Sequence, residues 1–433
     1  MSIGGLIRRK VYWLNDYFIG QPVGSHFKEI EAILSNYEYG KKKQKQYLHN
    51  IVIHATNNSE YYKQFQNKSF ELFPVMNKQI LSEKFNAVQV DVKKIPGQKG
   101  RVHIQYTSGS TGMPFAIPHD TRKRNRRIAE LKYFGEIAGF KSHECLAQLK
   151  VWKKGFNKSK FQIFKENIYP VDCTRIDDDM LQNFCNLIER KKITVLYGYP
   201  NWYGRLVDFL ERKSIKLNTI KVVIAISEML QPDTRKKLSE LLDCKVYSRY
   251  SNEEQGILGQ DKYNDEHFHL NHASYFFEFL KLDSDEKAAP GELCRIVITD
   301  LFNFAFPLIR YDTGDTGLYY YNESNRAEYP VLSKIYGRLI DLVYDTKGIP
   351  LHPSVFSSIL INYREIILWQ FIQKDYNYYL LKLKLSGDIN LSECKSILKN
   401  ILGKDANITI ELVDNITVLP SGKIKTVIYD LKR

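Results

Sequence analysis

The chain has 433 residues and a net charge of +14, from 63 Lys and Arg against 49 Asp and Glu, with 43% hydrophobic residues. That length supports two or three domains' worth of core, and the globular composition excludes a disordered or low-complexity protein. No apolar run reaches the roughly eighteen residues of a membrane span, no signal-peptide pattern opens the chain, and six scattered cysteines without C-x-x-C or finger spacing suit a reducing, cytoplasmic compartment.

The basic balance favours an anionic partner, whether nucleotide, coenzyme A, acidic glycan or lipid head group, without choosing among them. Residues 1–20 place Ile3, Leu6, Ile7, Val11, Leu14 and Phe18 at helical spacing beside Arg8, Arg9 and Lys10. Such a basic amphipathic helix usually docks on its own domain; the alternative is peripheral contact with a membrane surface. The densest basic clusters, Lys41-Lys42-Lys43 with Lys45 and Arg122-Lys123-Arg124 with Arg126-Arg127, read as solvated helix faces. No nucleic-acid module accompanies them, so no nucleic acid is expected. Phe73 to Lys78 reads as a turn entering a helix that carries Leu81 and Phe85.

The alternating run Val102, Ile104, Tyr106 predicts a strand leading into Thr107-Ser108-Gly109-Ser110-Thr111-Gly112. Glycines leave backbone N–H groups open and the hydroxyls add rotatable donors, so this stretch suits a phosphate chain; a plain surface turn is the competing reading. It matches neither G-x-x-x-x-G-K-[ST] nor G-x-G-x-x-G. Phe115 to Pro118 predicts a return strand, and Asp120 or Thr121 the cap of the next helix. The Lys/Phe-rich stretch around Trp152 is either core or cleft lining.

From residue 180 strands and helices alternate. A helix through Met180, Phe184 and Ile188 precedes a strand Ile193 to Tyr197, then Gly198-Tyr199-Pro200-Asn201 and a helix through Leu206 and Leu210. A strand Ile220 to Ile226, the loop Ser227-Glu228, a helix entered at Pro232 and a strand ending at Tyr247 follow. This pattern predicts an α/β fold with a mostly parallel sheet flanked by helices, whose ligands gather beyond the carboxyl ends of the strands. Ser227, Glu228 and Glu254 fall at that rim. His267, His269 and His272 invite zinc, but ordinary strand histidines, or one substrate-cleft histidine, are the preferred reading. Asp315 lies in a glycine turn, Gly337 to Asp341 reads as a linker, and strand alternation at 378–385 and 408–412 around a helix predicts a small α+β domain. Lys423, in a Pro-Ser-Gly turn, reads by itself as solvated.

Taken together, the stretches between residues 106 and 425 resemble the adenylate-forming enzymes, the superfamily of acyl- and aryl-coenzyme A ligases, amino-acid adenylation domains and luciferase. The match spans roughly three quarters of the chain, and joint chance agreement of ordered motifs is very improbable. Leu196-Tyr197-Gly198-Tyr199-Pro200-Asn201, and Phe115 where many members have Lys, resemble the phenylacetate-coenzyme A ligase-like branch tied to capsular polysaccharide synthesis.

The resemblance implies a large domain, 1–341, that binds ATP and an acid, and a small mobile domain, 342–433. It implies a phosphate loop at Thr107, Ser108, Gly109, Ser110, Thr111 and Gly112, with Ser227 and Glu228 also at the nucleotide. It places Tyr250 near adenine, Mg2+ on Glu254, the ribose on Asp315 and Arg338, a hinge at Asp341 and the catalytic lysine at Lys423. Ser251 and Glu253 depart from the family's Gly and Thr. The implied reaction turns a carboxylic acid and ATP into an acyl-adenylate, then passes the acyl group to a thiol of coenzyme A or of a carrier protein in trans, or to an amine. A catalytically weakened homologue acting as a nucleotide-binding or scaffold subunit at the membrane is the alternative.

Overall fold

A computed structural model describes residues 2–98, 100–106, 116–150, 158–173, 177–263, 265–321, 329–338, 343–351, 353–360, 363, 365–416 and 426–430. The chain divides into two compact units, Met1–Thr313 with Gly317–Ile335, and Gly314–Thr316 with Tyr336–Arg433.

An 11-stranded sheet organises the larger unit. Its strands run in the order Tyr275–Leu280, Leu293–Asp300, Tyr311–Tyr320, Val331–Arg338, Asp265–Leu270, Gly256–Lys262, Lys245–Asn252, Val222–Ile226, Val195–Gly198, Leu146–Lys150 and Ile168–Asp172. From Lys245–Asn252 to Ile168–Asp172 all pairings are parallel, as the alternating pattern predicts. Beyond Lys245–Asn252 the sheet continues through antiparallel pairs.

Val222–Ile226 is buried at every position, the mark of a strand covered on both faces. Phe184 and Ile188 of helix Asp178–Lys191, and Trp202, Leu206 and Leu210 of helix Pro200–Lys213, pack with Leu196, Val223 and Ala225. Asp177 caps the first of these helices by accepting from Met180 N, and Pro200 and Pro232 open the next two, where a missing N–H has no intrahelical use. Lys192, Ser214 and Asp243 end the three helices in the left-handed conformation, at φ 53, 52 and 45, which turns the chain back toward the sheet.

The basic cluster at 122–127 lies on helix Thr121–Ile137, capped by Asp120, but it is not a solvated face. Lys123 and Arg126 are completely buried. Lys123 Nζ pairs with Asp300 Oδ2 at 2.5 Å. Arg126 pairs with Glu29 Oε2 at 2.6 Å and donates to Ser274 Oγ at 2.9 Å and Ala273 O at 2.5 Å. Charges this deep persist because each has an opposite charge and fixed acceptors. The cluster Lys41 to Lys45, on helix Tyr37–Asn58, keeps Lys41, Lys42 and Lys45 exposed.

The smaller unit carries a four-stranded sheet in the order Asn407–Leu412, Tyr378–Leu385, Ile366–Gln373, Val427–Tyr429. Phe356 and Leu360 of helix Pro353–Leu360 and Leu398 and Leu402 of helix Leu391–Leu402 pack with Phe371, Tyr379, Leu381 and Ile408. Strand Ile366–Gln373 was not legible in the sequence, because its nearly unbroken apolar run has no period of two.

Candidate functional site

The donor-rich stretch is bracketed by a hairpin. Strands His103–Tyr106 and Ala116–His119 pair antiparallel from His103–His119 to Tyr106–Ala116. Thr107, Ser108, Gly109, Ser110, Thr111 and Gly112 themselves lie outside the described residues. Tyr106 and Ala116, which flank 107–115, stand opposite each other.

This hairpin is tied to the turn that presents Glu254. Strand Lys245–Asn252 runs past the predicted end at Tyr247, through a register shift between Tyr250 and Ser251, and turns at 253–255 into Gly256–Lys262. Gln105 Nε2 donates to Glu253 Oε2 at 2.8 Å, and His119 Nε2 donates to the Glu254 carbonyl at 2.9 Å. A carbonyl only accepts, so the proton of His119 sits on Nε2, leaving Nδ1 to face Arg127 Nη1 at 3.4 Å. Burial first, then Arg127 and Lys123, hold His119 down to about pKa 2, so the ring stays neutral. Arg127 also donates to the Glu253 carbonyl at 3.3 Å.

The turn is held from behind as well. Asn252 Oδ1 accepts from Gln255 N, and Asn252 Nδ2 donates to Gln255 Oε1, both at 2.8 Å. Tyr275 Oη donates to the Gln255 carbonyl at 2.8 Å and accepts from Lys123 Nζ at 3.1 Å. Gly256 has φ +132, and a Cβ there would stand 2.8 Å from Glu130 Oε2 and 3.0 Å from Tyr275 Oη, so only glycine fits. Glu254 is nearly buried, and beside it the buried Gln255 Nε2 has no acceptor among the described residues. Gln105, His119, Arg127, Lys123 and Tyr275 were not anticipated. Only Lys123 and Arg127 carried a sequence signal, the density of basic residues at 122–127.

At the parallel rim, Ser227 takes φ 70 directly after strand Val222–Ile226. Glu228 Oε2 accepts from Asn201 N at 3.4 Å in the first turn of helix Pro200–Lys213, whose cap residue Tyr199 offers no side-chain acceptor. A carboxylate there suits the positive end of the helix. Arg249, buried, donates to Gln260 Oε1 from Nε at 2.9 Å and Nη2 at 2.7 Å and lies 5.6 Å over the Tyr197 ring. Tyr250 packs in an apolar cluster with Leu258, Leu270, Tyr275 and Phe277.

Asp315 stands half-buried within strand Tyr311–Tyr320 rather than in a simple turn, directly after Gly314 at φ +76. The backbone of Arg338 closes strand Val331–Arg338. Asp341, Lys423 and Trp152 lie outside the described residues. His267 Nδ1 and His269 Nε2 share one carboxylate, Asp265, at 2.7 and 2.8 Å, while His272 is buried and stacked 4.1 Å from Tyr329. Among the described residues no group of three or more His, Cys, Asp or Glu is arranged to hold a metal. All six cysteines are unpaired, and burial pushes Cys145 and Cys185 up to about 11 and Cys244 and Cys294 up to about 12, which leaves them poor nucleophiles.

This fold is similar to solved acyl- and aryl-CoA ligases. A 2-hydroxyisobutyryl-CoA ligase in complex with R3-HIB-AMP superposes with a TM-score of 0.70 at 18% identity, over 90% of this chain and 89% of that one. An anthranilate CoA ligase in complex with anthranoyl-AMP gives 0.55 at 16%, over 74% and 64%. ATP-bound MatB from Rhodopseudomonas palustris gives 0.54 at 16%, over 74% and 66%. Residues 343–430 match the family model of the CapK C-terminal domain. The chain has the fold of the adenylate-forming ligases, and residues 343–430 are similar to the CapK C-terminal domain. No curated protein matches the chain by sequence. The CapK-type match falls on the smaller unit, whereas the tethered hairpin and the Glu254 turn belong to the larger one.

Proposed function

We propose that this protein is an AMP-forming acid ligase that activates a carboxylic acid with ATP. The acid's carboxylate oxygen attacks the α-phosphorus, the bond to the β-phosphate oxygen breaks, and pyrophosphate leaves. The acyl carbon is then attacked by a thiol, of coenzyme A or a carrier protein, or by an amine, and AMP leaves. The observation that carries this reading is the tether from Gln105 and His119 to the Glu253–Glu254 turn, which joins the hairpin flanking 107–112 to a rim carboxylate. The adenylate-forming ligase fold gives that pair its meaning.

Each residue's part is the one the sequence resemblance implies, and its chemistry suits it. The N–H groups and hydroxyls of 107–112 would cradle the phosphates, with Ser227 and Glu228 on the neighbouring rim. Glu254 fits a hard cation, because its turn is fixed by three neighbours and its carboxylate can share the ion with phosphate oxygens. A magnesium ion there would neutralise triphosphate charge. Asp315 and Arg338 would hold the ribose and Tyr250 would border the adenine. Asp341 would be the hinge between domains 1–341 and 342–433, and Lys423 would bridge the acyl carboxylate and α-phosphate. Two repelling anions must be held in line, so positioning and charge neutralisation carry the rate and no covalent enzyme intermediate is needed. A place in the cytoplasm, in the synthesis of capsular or O-antigen polysaccharide, is the one the sequence resemblance implies, and the similarity of residues 343–430 to the CapK C-terminal domain accords with that branch.

Acid-dependent ATP–pyrophosphate exchange over uronic, hydroxy, amino, fatty and aryl acids tests the proposal. Exchange with one class of acid, reduced about a hundred- to a thousandfold in Lys423→Ala, is the expected result. Near-wild-type exchange by that variant removes Lys423 from the reaction. A second reading, a nucleotide-binding scaffold, draws on Glu253, which stands where the family has Thr and is engaged by Gln105 and Arg127. Absence of exchange with every acid favours it.

A further inference from the structure

The helix Ile3–Phe18 is attached to the protein by polar contacts and by Tyr12 and Trp13, whose rings meet His143 and Phe27, while its aliphatic side is left outward. Arg9 Nη2 pairs with Glu136 Oε1 at 2.6 Å, and Arg8 Nε donates to the Phe164 carbonyl at 2.6 Å. Asp16, buried, accepts from Val23 N at 3.0 Å and Gly24 N at 2.8 Å. Ile3, Ile7, Val11, Leu14 and Phe18 recur at three- and four-residue steps, so they share the opposite side. All are exposed, Ile3 to 81% and Phe18 to 75%. A helix that completes a globular core has the reverse arrangement, with its apolar stripe inward. The apolar surface extends onto helix Lys160–Glu166, where Phe161 and Phe164 are exposed and Arg8 lies 4.5 Å over the Phe164 ring.

Charge selects the occupant of this surface. Lys10 stands inside the apolar stripe, and Lys160 and Lys165 border the two phenylalanines, all three exposed. The acidic residues of the two helices are both engaged, Asp16 by backbone N–H groups and Glu166 by Lys158. A lysine inside an apolar stripe suits a lipid interface, where its methylenes lie among acyl chains and its ammonium reaches the head-group phosphates. A second copy of this chain, also at +14, would set like charge against like. Among the described residues no helix is long and apolar enough to cross a membrane, so the contact lies in the plane of the interface. We propose that helix Ile3–Phe18, with Phe161 and Phe164, docks the protein on an anionic membrane surface. The inference rests on this surface alone and holds whichever acid or acceptor the ligase uses.

Co-flotation of the full-length protein with phosphatidylcholine vesicles, with and without phosphatidylglycerol, tests it. Binding to the anionic vesicles is expected to weaken as salt rises. It should fall about tenfold or more in Val11→Asp/Leu14→Asp, two outward residues whose apolar burial is removed. Lys10→Glu should lower anionic binding while leaving thermal unfolding unchanged. Circular dichroism and unfolding of the double variant establish that it is folded. No flotation of the wild type, or equal flotation by a folded double variant, overturns the proposal. So does a concentration-dependent dimer in sedimentation that the double variant abolishes, because a second copy would then own the surface.

Discussion

Helices Ile3–Phe18 and Thr121–Ile137 both turn charged residues toward the rest of the protein, yet to opposite ends. In the second, Lys123 and Arg126 vanish into the interior, where Asp300 and Glu29 neutralise them and Tyr275 relays Lys123 to the turn beside Glu254. In the first, the ion pair stays shallow, Arg9 and Glu136 retaining about a quarter of their side-chain exposure, and the aliphatic stripe faces out while only Tyr12 and Trp13 pack inward among its large apolar side chains. Amphipathicity therefore does not say which face of a helix is buried. The partners on the surface it meets decide that: a pocket of carboxylates and carbonyls for one, a rim of single acceptors for the other. One helix supports the candidate site from within, while the other leaves an apolar surface for something outside.

This contrast breaks most sharply at the buried ion pair. Lys123→Met leaves Asp300 buried without its counter-ion and should cost about 3–5 kcal/mol in urea unfolding. Replacing both, Lys123→Met/Asp300→Leu, should recover much of that. A loss below 1 kcal/mol in the single variant would show that the pair is not an uncompensated interior charge when broken. Gly256→Ala comes next, because a Cβ meets Glu130 and Tyr275 at a backbone angle that L residues rarely adopt. It should lower stability by about 1–3 kcal/mol and reduce ATP–pyrophosphate exchange, since the turn carrying Glu254 must shift.

His119 gives the pH test. Its pKa falls from an ordinary 6.5 to about 2 in the folded protein, and burial likewise takes His272 to about 3. The unfolded chain binds protons at these rings that the folded one refuses. Their contribution is therefore complete above about pH 6.5 and is lost progressively as pH falls below it. His119→Phe should flatten that slope between about pH 6.5 and pH 4, and by freeing the Glu254 carbonyl should cost about 1–3 kcal/mol at neutral pH. An unchanged slope would mean that other groups set the acid sensitivity. The smallest effect belongs to the outer helix: Val11→Asp/Leu14→Asp should move unfolding by no more than about 0.5 kcal/mol, because both side chains are already in water. A loss as large as that of Lys123→Met would erase the contrast between the helices.

Much of the scaffold was legible in local patterns. The strand into Thr107, the return strand after Phe115, the cap at Asp120, the alternation from residue 180 and the amino-terminal amphipathic helix all follow from short-range spacing that the fold respects. The antiparallel half of the large sheet and strand Ile366–Gln373 did not follow, since their pairing depends on partners distant in sequence or on an apolar run without a clear period. The Gly314 turn was misjudged because a glycine at φ +76 can sit inside a strand as well as end one.

By itself, then, the sequence determined the order of the elements, the position of the hydroxyl-glycine stretch and the rim placement of Ser227, Glu228 and Glu254, because backbone propensity and side-chain period act over a few residues. Tertiary structure alone decided that Lys123 and Arg126 are interior and that Val11 and Leu14 are not. It also decided that Gln105 and His119 grip the Glu254 turn from 148 and 135 residues away. Burial of a charge is a matter of which opposite charge the fold brings to it, and no local window contains both.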